Sequence, residues 1–412
     1  MGTFMNKKAL LAAAALAAAG CDNKETNPIP PPEPVNDNVA LQSFSGSNAC
    51  ADLEQYLEDT AVLQMRTQLE AQRDGVPSWG WWGGPWGWGL AEDSAAPNAA
   101  AGGAQTPAPR DYTTTNNQVA GVDEADFVKN DGTRIFALSA NKLYLVKSWP
   151  AEDMSLQGGL QIEGWPQEMF IDGTDKAVVF STVYRQYPMS QQFGVACDSL
   201  DCGYYYSNTV KVTEVDVSNP QNLRVTKETY LPGYYQSARK IGSSVRLVLS
   251  NDFNFPQGFK WSPDWQEGLW NDPIRLRAAY NTIIAQNEAL IRQQTLANWV
   301  PAAVVRQGGL ETKVQHPCND FARVNAPTRL GQVSVVTLDL SGGTLTRSSI
   351  LAEPGEIYAS QDNLYVATQH WWWWPAPGQR DTTYVHKFDI TNPSKALYRA
   401  SGVVDGHILD QL

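Results

Sequence analysis

The chain has 412 residues, of which 42% are hydrophobic and 10% aromatic. This composition is typical of a packed globular protein and argues against a chain that is disordered throughout. Its 31 basic and 43 acidic residues give a net charge of −12. A surface this acidic repels phosphate groups, so nucleic acid and anionic lipid are not expected partners.

The N-terminus has the layout of a bacterial export signal. Lys7 and Lys8 precede an apolar run over 9–19, which is too short to span a bilayer. The small residues that end this run lead directly into Cys21, and this junction resembles the lipobox of bacterial lipoproteins, although Ala18 replaces the usual leucine. We therefore expect residues 1–20 to be a signal peptide and Cys21 to carry a lipid. That lipid would anchor the protein to the extracytoplasmic face of a membrane in the cell envelope. An ordinary secretory signal is the alternative.

Composition divides the remaining chain into four parts. Residues 21–40 are polar and rich in proline, which predicts an extended tether. Residues 76–118 begin with alternating tryptophan and glycine and continue as an Ala/Gly/Pro-rich linker. Residues 119–412 contain short apolar runs separated by turn residues, which is typical of an all-β domain. Residues 41–75 are predicted to form an amphipathic helix, with apolar residues at helical spacing: Leu53, Leu57, Val62, Met65 and Leu69.

The β region contains a repeat. Four segments of turn and strand align, beginning at Asp131, Asp175, Gly242 and Asp362. In the last three units the following strand ends in an Asp-apolar-Ser/Thr turn, at Asp216, Asp339 and Asp389. Because these aspartates recur with the repeat, we interpret them as turn formers rather than catalytic residues. Such repeated sheets are stabilised by radial stacking, so the predicted fold is a β-propeller with about four blades. An open β-sandwich is the alternative.

The third repeat contains a long insertion, at about 251–329. Asp272 is an expected helix cap, and Pro273 suits the first turn that follows it. The insertion is therefore predicted to contain a helix, with one apolar face formed by Leu276, Tyr280, Ile283, Ile284 and Ile291.

Lipidation of Cys21 would leave an even number of cysteines, which are expected to form disulfides outside the cytosol. Cys197 and Cys202 could close a short loop, which would leave Cys50 to pair with Cys318. Four cysteines allow three pairings, so the sequence leaves the connectivity open. A zinc site is the competing interpretation, but the chain has no CxxC pair, and no metal is expected.

The stretch 116–132, with the sequence NNQVAGVDEADFVKNDG, resembles the opening signature of a family of secreted bacterial β-propellers distantly related to WD repeats. The segments 358–368, 371–374 and 386–390 are also similar to that family. The resemblance implies a propeller fold and an extracytoplasmic location, and it brings no established catalytic residues. Family members usually continue beyond the point that matches 401–412. We therefore expect an incomplete ring whose fourth blade is itself incomplete.

Two groups of side chains are candidates for function. Asp123, Glu124 and Asp126 place three carboxylates in four positions, which could bind calcium, although carboxylates before a strand more often pair with lysine and arginine. Trp371, Trp372, Trp373 and Trp374 lie in a blade loop, where aromatic rings could stack on sugars or anchor a protein partner. The same tryptophans could instead cover the propeller core.

The chain lacks the HExxH, GxSxG and Walker motifs, and no GxGxxG opens a helix. No catalytic residue and no cofactor are therefore predicted. The expected function is a membrane-tethered, non-catalytic binding or scaffold protein of the envelope, with a protein or glycan partner. An enzyme with its site in the propeller funnel and a structural surface protein are the alternatives.

Overall fold

The computed structural model describes residues 34–75, 122–188, 204–343, 345–371 and 381–408. Within these residues the strands form four sheets, and each sheet contains one antiparallel blade of four strands. The first blade comprises β3 (Val128–Asn130), β4 (Arg134–Ser139), β5 (Lys142–Lys147) and β6 (Ser155–Gln161). The second comprises β7 (Trp165–Asp172), β8 (Lys176–Pro188), β9 (Tyr204–Asp216) and β10 (Arg224–Pro232). The third comprises β11 (Tyr234–Ile241), β12 (Ser244–Asn251), β16 (Gln332–Asp339) and β17 (Leu345–Leu351). The fourth comprises β18 (Pro354–Ala359), β19 (Asn363–Gln369), β20 (Thr382–Asp389) and β21 (Leu397–Asp405).

The four predicted repeats are therefore present, but each has one strand more than the aligned unit. The additional strand is the first of each blade, and it lacks a long apolar run, as in the sequence YYQSARKI of β11. In the fourth blade, this additional strand completes the set of four. The expectation that the blade is incomplete was wrong, because β18 supplies its first strand and β21 therefore supplies its fourth.

Three hydrophobic clusters join consecutive blades. Phe136 of the first blade packs in one cluster with Val179 of the second. Val178, on the opposite face of β8, packs with Leu247 of the third blade. Val335 of the third blade packs with Leu364 of the fourth. No cluster of this kind joins the fourth blade to the first among the residues that the structure covers. The described blades are thus packed in series.

The repeated aspartates form turns, as the sequence predicted. Asp216 Oδ1 accepts a hydrogen bond from Ser218 Oγ at 2.6 Å, and Asp339 and Asp389 make the same 2.6 Å contact with the hydroxyl two residues later. Hydrogen bonds from the Ser218 hydroxyl and amide lower the pKa of Asp216 to about 2. The turn aspartates therefore stay ionised in their structural role.

Each of these turns is also held by the preceding blade. The carbonyl after Asp216 accepts a hydrogen bond from Arg134 Nη1 at 3.1 Å. The corresponding carbonyls after Asp339 and Asp389 accept from Lys176 Nζ at 2.6 Å and from Arg246 Nη2 at 3.0 Å. In all three places, a basic side chain on the second strand of one blade thus donates a hydrogen bond to a turn carbonyl of the next blade.

The insertion after β12 contains α2 (Pro273–Arg292), α3 (Leu296–Trp299), β13 (Ala303–Gln307), β14 (Leu310–Val314) and β15 (Phe321–Val324). Asp272 caps α2 as predicted, since its Oδ1 accepts the amides of Ile274 and Arg275. The insertion also contributes strands that the sequence did not predict: β13 pairs with β10 of the second blade, and β15 pairs with β17 of the third. Short 3₁₀ turns lie at Ala151–Asp153, Leu269–Asn271 and Cys318–Asp320.

The N-terminal part comprises β1 (Leu41–Ser43), α1 (Ala49–Arg73) and β2 (Asp123–Glu124). The five predicted apolar residues of α1 are buried, and they pack against α2 in one cluster. A disulfide between Cys50 and Cys318 confirms that predicted pair and joins α1 to the insertion. No helix in the described ranges is long and apolar enough to cross a membrane.

The folded part begins before the predicted end of the tether at residue 40. Val39 is buried, and the amide of Ala40 donates to Asn325 Oδ1 at 2.7 Å. Residue 41 is also not helical, because β1 pairs with β15. The difference arises because short polar segments such as this one are ordered by tertiary contacts, which composition does not reveal.

Candidate functional site

The first strands of blades one to three lie side by side and form what we call the inner edge. Residues 122–130 cross this edge: β2 pairs with β11 of the third blade, Asp126 bridges to Met169 in β7, and β3 begins the first blade. This crossing segment contains the described part of the stretch with family resemblance, from residue 122 onward, and all three carboxylates of the proposed calcium site. It thus brings three blades together.

Basic side chains engage two of those carboxylates. Lys129, which is almost fully buried, contacts Asp123 Oδ1 at 2.7 Å and also donates to the Glu124 carbonyl. Arg239 Nε lies 3.6 Å from Glu124 Oε1. This geometry favours ion pairing over calcium binding, and within the described ranges no group of three or more acidic, histidine or cysteine side chains is placed to hold a metal ion.

The third carboxylate, Asp126, caps its own turn. Its Oδ1 accepts the amide of Phe127 at 2.7 Å. Phe127 itself is 62% exposed, immediately before β3. Asp126 therefore shapes the crossing segment as it enters the first blade.

A carboxyl–phenol pair lies next to this network, between the second and third blades. The Tyr235 hydroxyl donates a hydrogen bond to Glu168 Oε2. Burial raises the pKa of Glu168 above its usual value, and burial together with the Glu168 charge raises the pKa of Tyr235 well above 10. Tyr235 thus remains a hydrogen-bond donor at neutral pH, and Glu168 is positioned by it.

Two exposed aromatic rings share the face that carries Glu168. Trp165 is 68% exposed and Tyr184 is 62% exposed. Trp165 lies opposite Thr182, and a bulge after Pro166 places Glu168 opposite Phe180. Because directly opposed residues and residues two apart along a strand point to the same face, Trp165, Glu168 and Tyr184 are on one side of the second blade. That side faces the third blade, where the rings of Phe180 and Tyr235 are 5.5 Å apart.

Gly164 lies directly before β7 and allows the start of this strand to pack closely against β8. It has φ +84, and a Cβ there would lie 2.3 Å from the Thr182 carbonyl oxygen. Only glycine therefore lets the chain enter β7 so close to β8. We call the group of Trp165, Glu168, Tyr184 and Tyr235 the seam site.

Of the predicted aromatic loop, the described residue is Trp371. Its amide donates to the Pro327 carbonyl at 3.0 Å, and the Arg329 guanidinium lies 5.4 Å from the ring centroid. The base of this loop is therefore fixed on the end of the insertion. Trp372, Trp373 and Trp374 lie outside the described residues, as do Cys21, Cys197 and Cys202.

The seam site was not predicted from the sequence. Its residues are separated along the chain and belong to no motif, and Trp165 and Tyr184 look like ordinary strand residues. The available signal was the Gly164-Trp165-Pro166 stretch, which combines a turn residue with a large aromatic side chain. Only the pairing of β7 with β8 reveals that Trp165 and Tyr184 are neighbours.

Comparison with known proteins supports the architecture. A family model described as a beta propeller domain matches residues 112–412. An uncharacterized protein of Methanocaldococcus jannaschii is 27% identical over 149 residues, which cover 34% of this chain and 18% of that protein. The chain thus spans less than a fifth of that relative.

Two solved structures show weak similarity. An apocarotenoid oxygenase of Synechocystis has a TM-score of 0.22 and 12% identity, over 67% of this chain and 58% of that one. A eukaryotic initiation factor has a TM-score of 0.20 and 8% identity, over 69% and 68% of the two chains. Neither similarity bears on function at these scores. The family model, in contrast, covers most of the sequence and coincides with the four observed blades, so this chain belongs to the beta propeller domain family.

Proposed function

We propose that the protein is a lipid-tethered binding protein of the cell envelope, which presents the surface of its propeller to a protein or glycan partner. The lipid on Cys21 would hold it at the membrane, and the proline-rich segment after Cys21 would keep the folded part at a distance. Catalysis has no part in this proposal.

The observation that carries the proposal is the contrast between charged and aromatic side chains near the inner edge. The carboxylates of Asp123 and Glu124 contact Lys129 and Arg239, as acid–base partners in a structural network do. Trp165 and Tyr184, by comparison, leave most of their surface in water. Large exposed aromatic rings are typical of binding sites, because contact with a partner buries them.

The fixed base of the tryptophan loop supports a second contact region. Trp371 is held by Pro327 and Arg329 of the insertion. A loop attached so firmly at its base can present the tryptophans that follow it in sequence. We infer that Trp372 and Trp373 contribute to partner binding more than the acidic residues of the crossing segment do.

The test compares capture of envelope proteins and glycans by three versions of the immobilised chain: the parent, Trp372→Ala with Trp373→Ala, and Asp126→Asn. We expect the tryptophan variant to lose most of the captured partner and Asp126→Asn to retain it. Thermal unfolding of the three proteins serves as the control. A tryptophan variant that melts at a much lower temperature would show these rings to be part of the core, which contradicts the proposed role.

A further inference from the structure

We propose that the seam site binds a neutral glycan, an inference that rests on the proposed binding function and narrows it to a class of ligand. Trp165 and Tyr184 would provide stacking surfaces for sugar rings, and Glu168 would accept hydrogen bonds from sugar hydroxyls. The site lies where the second and third blades meet at the inner edge.

The two rings have the arrangement that a sugar chain requires. A pyranose ring has an apolar face of C–H groups, which packs on the electron-rich face of an aromatic ring. Trp165 begins β7 and Tyr184 lies on the adjacent strand, two residues beyond the partner of Trp165. Both rings project from the same side of the sheet and are mostly exposed. Two such platforms on one face fit consecutive units of a polysaccharide better than a single small molecule.

Glu168 supplies the polar part of the site. Its Oε2 accepts the Tyr235 hydroxyl, whereas Oε1 accepts no hydrogen bond from the residues that the structure describes. The ring of Tyr235 packs 5.5 Å from the ring of Phe180, and the Tyr235 hydroxyl in turn positions the carboxyl. A fixed carboxyl next to an aromatic platform can recognise the hydroxyl groups of a sugar whose apolar face is stacked on the ring.

The charge of the protein favours a neutral ligand over an anionic one. Close to Glu168 the negative charge of Asp126 is offset by the positive charges of Arg239 and Lys129, and the whole chain has a net charge of −12. Uronates, sugar phosphates and anionic headgroups would be repelled by the Glu168 carboxylate and by the net charge of the chain, whereas a neutral hexose chain would not. The two rings are accompanied by a carboxyl that can accept hydrogen bonds, which favours a sugar over a lipid surface or a hydrophobic protein patch.

The experiment uses the full chain carrying Cys21→Ser and measures its binding to cellohexaose, chitohexaose and soluble mannan by calorimetry. We expect at least one of these neutral glycans to bind. Trp165→Ala and Tyr184→Ala should each raise its Kd by about tenfold or more, because an aromatic platform contributes about this much to the binding of a stacked ring.

Trp265→Ala provides the matched control. Trp265 lies in the insertion and is 78% exposed, so its removal tests non-specific adhesion of an exposed tryptophan. We expect Trp265→Ala to leave the Kd unchanged. The proposal is overturned if none of the three glycans binds, if Trp165→Ala binds as tightly as the parent, or if Trp265→Ala weakens binding to the same extent. Those outcomes leave the proposed binding function standing if the Trp372 and Trp373 double variant still loses its captured envelope partner.

Discussion

At the scale of single residues, the turn aspartates show what recurrence in a sequence can predict. Asp216, Asp339 and Asp389 occur at the same place in three repeats, and each makes the same contact with a hydroxyl two residues later. Their role is local and therefore visible in the sequence. The basic side chains that hold these turns could not be predicted, because Arg134, Lys176 and Arg246 act on a different blade and are of different types.

A fully buried histidine of the fourth blade, His386, predicts how stability depends on pH. His386 Nδ1 lies 2.7 Å from Ser401 Oγ, and Nε2 lies 3.0 Å from Thr368 Oγ1. Burial lowers the pKa of His386 from 6.5 to about 4. At a pH between these two pKa values, His386 is protonated in the unfolded chain and neutral in the folded chain. The free energy of unfolding should therefore be highest above pH 6.5 and fall by about 1.4 kcal/mol per pH unit toward pH 4 for this group.

Thermal unfolding at pH 7, 6 and 5 checks this expectation. His316 contributes in the same direction, since burial lowers its pKa to about 2. His386→Gln should consequently reduce the dependence on pH without abolishing it. A variant whose melting temperature falls with acidity as steeply as that of the parent would show that His386 does not titrate on unfolding.

At the scale of elements, the sequence predicted those that bury an apolar face. The spacing of Leu53, Leu57 and Met65 indicated α1, and these residues are fully buried in the structure. The first strands of the blades were missed because their environment differs: β7 and β11 carry Glu168, Arg239 and other polar residues into the network at the inner edge. Their conformation is set by pairing with neighbouring strands rather than by hydrophobic periodicity.

The disulfide is the cross-link between two of these elements, and it should account for a measurable part of the stability. Cys50 and Cys318 are separated by 268 positions, so the bond restricts a very long loop of the unfolded chain. We expect Cys50→Ser with Cys318→Ser to lower the free energy of unfolding by about 2–5 kcal/mol. Chemical denaturation of the disulfide-bonded protein and of the double variant measures this loss.

Cys197→Ser with Cys202→Ser is the matched comparison. If these cysteines form the predicted short-range pair, they enclose a small loop and should contribute less, because a short loop loses less conformational freedom on closure. An equal loss for both double variants would contradict the explanation by loop length.

At the scale of the whole molecule, the sequence predicted the number of blades and their stacking, because both follow from repetition. It did not predict the crossing segment, since pairing of Asp123 and Glu124 with β11 joins residues far apart in the chain. The same limitation applies to the seam site. A site assembled from several strands becomes visible only when their register is known.

The proposed attachment to a membrane is also tested on the whole molecule. Cys21→Ser should release the protein from the membrane fraction into the soluble envelope fraction, because no other cysteine follows a signal-length apolar run. Cell fractionation with immunodetection measures the distribution, and Cys50→Ser serves as a control that leaves Cys21 intact. Continued retention of Cys21→Ser in the membrane fraction would rule out Cys21 as the anchor.

The crossing segment has a consequence for the order in which the protein is assembled. A chain is synthesised from its N-terminus, so residues 123–126 emerge long before β11, with which β2 pairs. During that interval their backbone N–H and C=O groups have no partner strand. Unpaired groups of this kind can hydrogen-bond to another chain and cause aggregation. The carboxylates of Asp123, Glu124 and Asp126 keep this unpaired segment charged and hydrated, which opposes such aggregation. Two of these carboxylates, those of Asp123 and Glu124, later pair with Lys129 and Arg239, so the same charges act before and after the third blade has formed.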